Sequence, residues 1–238
     1  METQEYKRIF DLEDNHGWYC GLHELILATM RDLLPFQTAR ILDIGCGTGG
    51  LLNQLQPTWP SSWGLDISTH ALKYSKKRGI SHLFQASVSH LPIVDGYFDA
   101  IVCIDVIYHK QIQNDLAVLQ ECHRVLKPGG ILILHTPAFS FLKGAHDCVV
   151  HTRERYTRSI LHHRVLDTKF HILKISYRNF FLFPFIYFKR LFTSSESDLQ
   201  PLSHLFNQAL LFMLQIENRV IKYSNLPFGS SVFCIAQK

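Results

Sequence analysis

Apolar runs of strand length alternate with stretches of helical spacing along the first half of the chain. Mostly apolar runs at 40–44, 63–66, 82–86, 98–105 and 131–135 predict five strands. Between them, apolar positions recur at helical intervals over about 18–34, 48–56, 68–77 and 116–126. Pro35, then Pro57 and Pro60, then Gly79, then Lys127-Pro-Gly-Gly130 stop these helices in turn, and Ser68 is placed to cap the third. The run 98–105 is apolar at almost every position, the pattern of a strand buried on both faces. Such alternation predicts an α/β fold with a doubly wound, mostly parallel sheet.

The last third is less regular. It reads as a long loop over 137–151, a basic helix over 153–166 and a strand over 170–177. A Phe-rich stretch at 180–192, a polar acidic break at 194–198, an amphipathic helix over 202–223 and a seventh strand over 231–236 follow. About 180–225 is therefore a helical insertion between the last two strands of a single domain. Within it, 1–38 forms an N-terminal helical cap, 39–137 a cofactor-binding core and 138–238 the acceptor side. The Phe-rich stretch, broken by Pro184, Lys189 and Arg190, is too short to span a bilayer. Core packing or a homodimer face outweighs a lid or a surface contact with lipid.

Composition narrows the class. With 47% hydrophobic and 12% aromatic residues the chain can fill a sizeable core. A net charge of +4 is too diffuse to point to nucleic acid. Six cysteines without a C-x-x-C pair read as reduced thiols, and the first residues lack the apolar run of a leader, so a cytoplasmic protein is expected. The basic run Lys73, Lys76, Lys77, Arg78 reads as the solvated face of a helix.

The chemistry concentrates in Ile41-Leu-Asp-Ile-Gly-Cys-Gly-Thr-Gly-Gly50, followed by Trp63-Gly-Leu-Asp-Ile67. A strand, a glycine-rich turn and an acid at the tip of the next strand make a nucleoside site. Gly45, Gly47 and Gly50 also satisfy the dinucleotide pattern G-x-G-x-x-G. Asp43 argues against a dinucleotide, because a carboxylate just before the loop repels a pyrophosphate. It suits a ligand that presents an ammonium group there, as S-adenosylmethionine (SAM) does.

Five blocks in order, Leu42–Gly49, Gly64-Leu-Asp66, Leu91-Pro92, Tyr97-Phe-Asp-Ala-Ile-Val102 and His123-Arg-Val-Leu-Lys-Pro-Gly-Gly130, resemble class I SAM-dependent methyltransferases. His16-Gly-Trp-Tyr19, His146-Asp147, His151-x-Arg-x-Arg-Tyr-Thr157 and Pro227-Phe-Gly229 resemble a bacterial small-molecule subgroup of these enzymes. The resemblance implies a Rossmann-like seven-stranded sheet and SAM as cofactor. It implies that Gly45, Gly47 and Gly49 admit the methionine and ribose moieties and that Asp43 faces the ammonium. Asp66 would accept the ribose hydroxyls, Ile67 would pack on adenine, and Asp105 would sit at the methionine end. Ser87, followed by Val88, stands where the family often has an acid before alanine, a departure that weakens adenine recognition. Trp18 and Tyr19 are expected to help close the cofactor site.

The resemblance names the reaction and leaves the acceptor open. Candidates beyond strands four and five are Tyr108, His109, His135, His146, Asp147, His151 and Tyr156. His146 and His151 lead as the base, with Tyr108 and His109 behind them, because the loop after strand five is dense in titratable groups. The His146, Asp147, His151 spacing matches no metal signature, so no metal is expected. A small-molecule acceptor is favoured over RNA or protein. The run Cys103-Ile-Asp-Val-Ile-Tyr108 lacks the Asn/Asp-Pro-Pro-aromatic signature of enzymes that methylate amino groups of nucleic acid. A non-catalytic SAM- or NAD-binding protein is the remaining alternative.

Overall fold

The computed structural model describes residues 3–35, 37–192 and 201–238. In chain order its elements are α1 (Thr3–Leu12), α2 (Gly17–Leu33), β1 (Ile41–Ile44), α3 (Gly50–Leu55), β2 (Ser62–Asp66), α4 (Thr69–Lys77), β3 (Leu83–Gln85) and β4 (Phe98–Ile104). There follow α5 (Asp115–Val125), β5 (Leu126–Pro137), a short 3-10 turn (Ser140–Leu142), α6 (Ala145–Val149), α7 (Arg158–Asp167), β6 (His171–Arg178), α8 (Phe183–Phe192), α9 (His204–Tyr223) and β7 (Ser231–Gln237). The sheet runs β3-β2-β1-β4-β5-β7-β6. Five strands are parallel, and β7 is antiparallel to both β5 and β6. β6 therefore points the same way as β5, and the C-terminal ends of β1, β4, β5 and β6 share one edge.

Central strands are apolar because helices cover both of their faces: all four residues of β1 are buried, as are Ala100 to Cys103 of β4. Cys46, Cys103, Cys122 and Cys234 are buried free thiols. Ser68 caps α4 as expected, its hydroxyl accepting from the Ala71 N–H at 3.3 Å.

The C-terminal insertion closes over the N-terminal cap. Helix α9 lies against α2, where a Cβ at Gly21 would come within 2.9 Å of Leu214 Cβ. The Asn207 side chain accepts from the Gly17 N–H at 2.7 Å and donates to the Asn15 carbonyl at 2.7 Å, and Asn218 donates to the Gly21 carbonyl. Ends of the chain far apart in sequence thus cover one face of the β5-β7-β6 half of the sheet.

Several boundaries differ from the sequence reading. Helix α1 precedes the first expected helix. The stretch 137–151 contains the 3-10 turn and α6 instead of a plain loop. Helix α7 begins at Arg158 because Thr157, not a residue near 153, accepts from the Ile160 N–H as its cap. Strand β5 begins at Leu126, which pairs with Phe98 across a bulge, so the Lys-Pro-Gly-Gly run lies within the strand. The Phe-rich stretch becomes α8, whose Phe183 and Tyr187 join Phe139 and Phe141 in a ring cluster, leaving Phe185 and Phe188 exposed. Among the described residues no helix is long and apolar enough to cross a membrane. The acidic break expected at 194–198 lies outside the described residues.

Candidate active site at the carboxyl edge of the sheet

The glycine loop is anchored to β2, with the Gly45 and Cys46 N–H groups donating to the Leu65 carbonyl at 2.7 and 2.9 Å. Gly45 (φ +70°) packs so closely on Val106 that a Cβ would lie 2.4 Å from Val106 Cγ2. Gly47 (φ +56°) is the opposite case, since a Cβ there would meet nothing within 4 Å. Backbone is bare at that point, and a ligand can come close. Gly49 is the N-cap of α3.

Asp66 turns back to this loop. Its Oδ2 accepts from the Gly47 N–H at 3.0 Å and its Oδ1 from the Ser68 N–H at 2.8 Å. Each oxygen keeps lone-pair capacity for a ligand hydroxyl. Burial raises the Asp66 carboxyl above its usual range, against the pull of those N–H groups. Asp43 is buried, and its side chain makes no hydrogen bond among the described residues. Burial, then the charges of Asp66 and Glu13, push its carboxyl well above the usual range. A buried acid crowded by two others is the place for a cation.

Glu13 was missed in the sequence. Its carboxylate accepts from the Thr48 hydroxyl and pairs with Arg78 at 2.8 Å. Arg78 also donates to the Thr48 carbonyl at 3.0 Å and lies over the Phe10 ring. Its side chain is only 6% exposed, so Arg78 is not on the solvated face where the basic run suggested it, while Lys73, Lys76 and Lys77 are. The turn after α1 thus clamps the glycine loop, and Tyr6 of α1 lies buried beside Ser68 and Asp66.

At the tip of β4 Asp105 takes a left-handed conformation (φ +55°) that aspartate tolerates. Its Oδ1 lies 3.1 Å from Nδ1 of His135 in β5. His135 is 1% exposed, and its Nε2 is buried with no hydrogen-bond partner. A carboxylate can only accept, so in the neutral imidazole Nδ1 carries the proton and Nε2 keeps its lone pair. Trp18 lies edge-on to His135 with centroids 5.9 Å apart and edge-on to Tyr19 at 4.9 Å. Tyr19 feels Glu13, Asp105, Glu5 and Tyr108, so both aromatic residues stand between the cap and the strand ends.

Ile67 is half exposed beyond Asp66. Ser87 is exposed and its hydroxyl accepts from the Ser89 N–H at 3.3 Å, the geometry of a turn serine; Val88 is part of the core.

The loop after β5 is largely a structural lock. Asp147 accepts from Arg155 Nε at 2.8 Å and Nη2 at 3.0 Å, and Arg155 donates to the Ala138 carbonyl. Tyr156 is fully buried and donates to Asp115 at 2.6 Å. His146 lies in α6 beside Asp147. His151 takes a left-handed conformation (φ +56°) next to the His109 ring, centroids 5.7 Å apart. Burial, then the nearby positive charges, push His109 down to about 4, and its Nδ1 accepts from the Gln111 N–H, so it is a poor base near neutrality. Tyr108 is buried, which drives its phenol well above the usual range. Among the described residues no cluster of His, Cys, Asp and Glu is disposed to hold a metal.

Replacing Asp147 by Asn should lower stability by about 3 kcal/mol, because it strips a buried guanidinium of its charge partner. Burial raises the Asp147 carboxyl, but the hydrogen bonds and charge of Arg155 outweigh it and hold the group below its usual 3.8. The stabilisation is therefore present above that pH and lost as pH falls through the lower folded value. Urea midpoints of both proteins should differ at pH 7 and converge in acid. Equal midpoints at pH 7 would contradict the lock.

The profile of the family described as "Methyltransferase domain" matches residues 42–134. That stretch, from β1 to β5, is similar to a methyltransferase domain. Over 136 residues the chain is 28% identical to the ubiquinone biosynthesis O-methyltransferase of Paracidovorax citrulli, covering 54% of this chain and 56% of that one. It thus spans about half the length of the curated relatives it matches. Among solved structures, the [4+2]-cyclase SpnF superposes with a TM-score of 0.64 at 18% identity, covering 99% of this chain and 94% of that one. A SAM-dependent methyltransferase of Archaeoglobus fulgidus gives a TM-score of 0.56 at 19% identity, covering 91% and 94%. At such identities the structural likeness speaks for the fold alone, and a methyltransferase domain shares it with a cyclase.

Proposed function

We propose that this chain transfers a methyl group from SAM to a small-molecule acceptor, in the cytoplasm, with His135 as the base where the acceptor carries a proton. The observation that carries the reading is Asp43: a buried carboxyl with no hydrogen-bond partner among the described residues, beside the glycine loop whose backbone is bare at Gly47 and holds Asp66. These residues fit SAM, with Asp43 for the ammonium, Asp66 for the ribose hydroxyls, and the Gly45–Gly47 backbone close to the methionine end. When bound, SAM supplies a methyl group already activated by its sulfonium.

The chain's own share is alignment and proton handling. In-line displacement needs the acceptor atom held opposite the leaving sulfur, which gains from placement more than from any charged catalyst. Asp105 fixes the His135 ring so that Nε2 presents a lone pair. An O–H or N–H acceptor can hand its proton to that nitrogen, a step worth roughly a hundredfold or more in rate. Trp18, Tyr19 and the α9 cover keep water out. His146 and His151 give way to His135 in this reading, because the Asp105 carboxylate holds the His135 ring at the ligand edge of the sheet.

Incubation with methyl-tritiated SAM and a fractionated cell extract tests the proposal. Label should enter a low-mass product. Label in RNA or protein instead would overturn the small-molecule reading.

A further inference from the structure

Arg178 ends β6 and is 0% exposed, the deepest charged side chain on the carboxyl edge of the sheet. Its Nη1 donates to Asn179 Oδ1 at 3.0 Å, while Nε and Nη2 are buried with no hydrogen-bond partner. A guanidinium presents its donors in a fixed fork, and leaving part of that fork dry is costly. Glu217 of α9 supplies negative charge nearby, but its oxygens accept from the Asn179 and Phe181 N–H groups at 2.5 and 3.4 Å. Charge is balanced while the donors stay unsatisfied.

Arg178 and His135 share one compartment. His135 pairs with Phe233 and Phe233 with Ser176, so these three side chains lie on one face of the sheet, and Arg178, two residues beyond Ser176, lies on that face too. Helix α2 covers both. Trp18 meets His135, and a Cβ at Gly21 would lie 3.5 Å from Arg178 Nη2. Trp18 and Gly21 are three residues apart and so on the same helix face. Asp105, which holds His135, also acts on the charge of Arg178.

Resting on the SAM reading above, we propose that the methyl acceptor bears a carboxylate that docks on the free Nε and Nη2 of Arg178, with its methylated atom toward His135 Nε2. A planar two-oxygen anion matches the fork, which a lysine ammonium cannot reproduce. The same chemistry could come from the carboxylate of the cofactor's methionine end, and the test separates the two sources.

S-adenosylhomocysteine affinity is measured first by calorimetry, then binding of benzoate and hexanoate against benzamide and hexanamide is followed by saturation-transfer NMR on the nucleoside-saturated protein. The proteins are wild type, Arg178→Lys, and the double variant Arg178→Met/Glu217→Gln, which removes both buried charges together and so spares the fold. Expected are a preference of the wild type for acids over amides, a loss of that preference on the order of tenfold or more in both variants, and unchanged S-adenosylhomocysteine affinity. No acid preference in the wild type overturns the proposal and leaves the SAM reading standing. A tenfold fall of S-adenosylhomocysteine affinity in the variants, by roughly 1.4 kcal/mol, assigns Arg178 to the cofactor instead and also overturns it. Failure of the wild type to bind S-adenosylhomocysteine would strike the SAM reading itself.

Discussion

Alanine at His135 is expected to lower kcat by roughly a hundred- to ten-thousandfold on a protic acceptor. SAM affinity should stay close to that of the wild type, because His135 lies two strands from the glycine loop, on the far side of β4. Asp105→Asn should follow in the same direction. An amide can donate to the imidazole as readily as accept from it, and the tautomer that leaves the Nε2 lone pair free is then no longer enforced. Single-turnover rates with saturating SAM separate this from a binding defect. Full turnover by His135→Ala on a hydroxyl or ammonium acceptor would remove the base from the mechanism.

Alanine at Asp66 has its largest effect on binding. Two hydrogen bonds to a charged acceptor disappear, a loss on the order of 3 kcal/mol, or about a hundredfold in SAM affinity. Asp43 should act with a different signature. Its carboxyl is raised by burial and by the charges of Asp66 and Glu13, and a cation brought beside it favours the ionised form. SAM binding should therefore release protons and weaken as pH falls through the raised value, and Asp43→Asn should flatten that slope. Titrations in buffers of different ionisation enthalpy read both quantities. Wild-type affinity in Asp66→Ala would sink its assignment to the ribose.

The strands were legible because they are buried on both faces, and an apolar run such as 98–105 leaves little else for the chain to do. Asp43 and Asp66 were legible because an acid beside a glycine turn has few structural excuses. Residues whose role depends on partners distant in sequence were harder. Arg78 sits among lysines at a helix end, and only α1, with Glu13 placed 65 residues earlier, takes it out of solvent. His135 is a single histidine inside an apolar strand. Its position at the ligand edge was visible, yet the Asp105 contact that orients it was not, and the loop at 146–156 is denser in titratable groups. In that loop the carboxylate and phenol answer to structure: Asp147 to Arg155 and Tyr156 to Asp115. Arg178 gave no signal beyond being an arginine at the end of a strand. Helix α9, which helps bury it, comes from the insertion whose docking no local pattern announces.

The most direct measurement is a calorimetric titration of the wild-type chain with SAM and, separately, with NAD. A SAM-dependent methyltransferase should bind SAM saturably at one site per chain and give no heat with NAD. Saturable NAD binding without SAM binding would mean that Asp43 does not face an ammonium, and the site as described would be wrong.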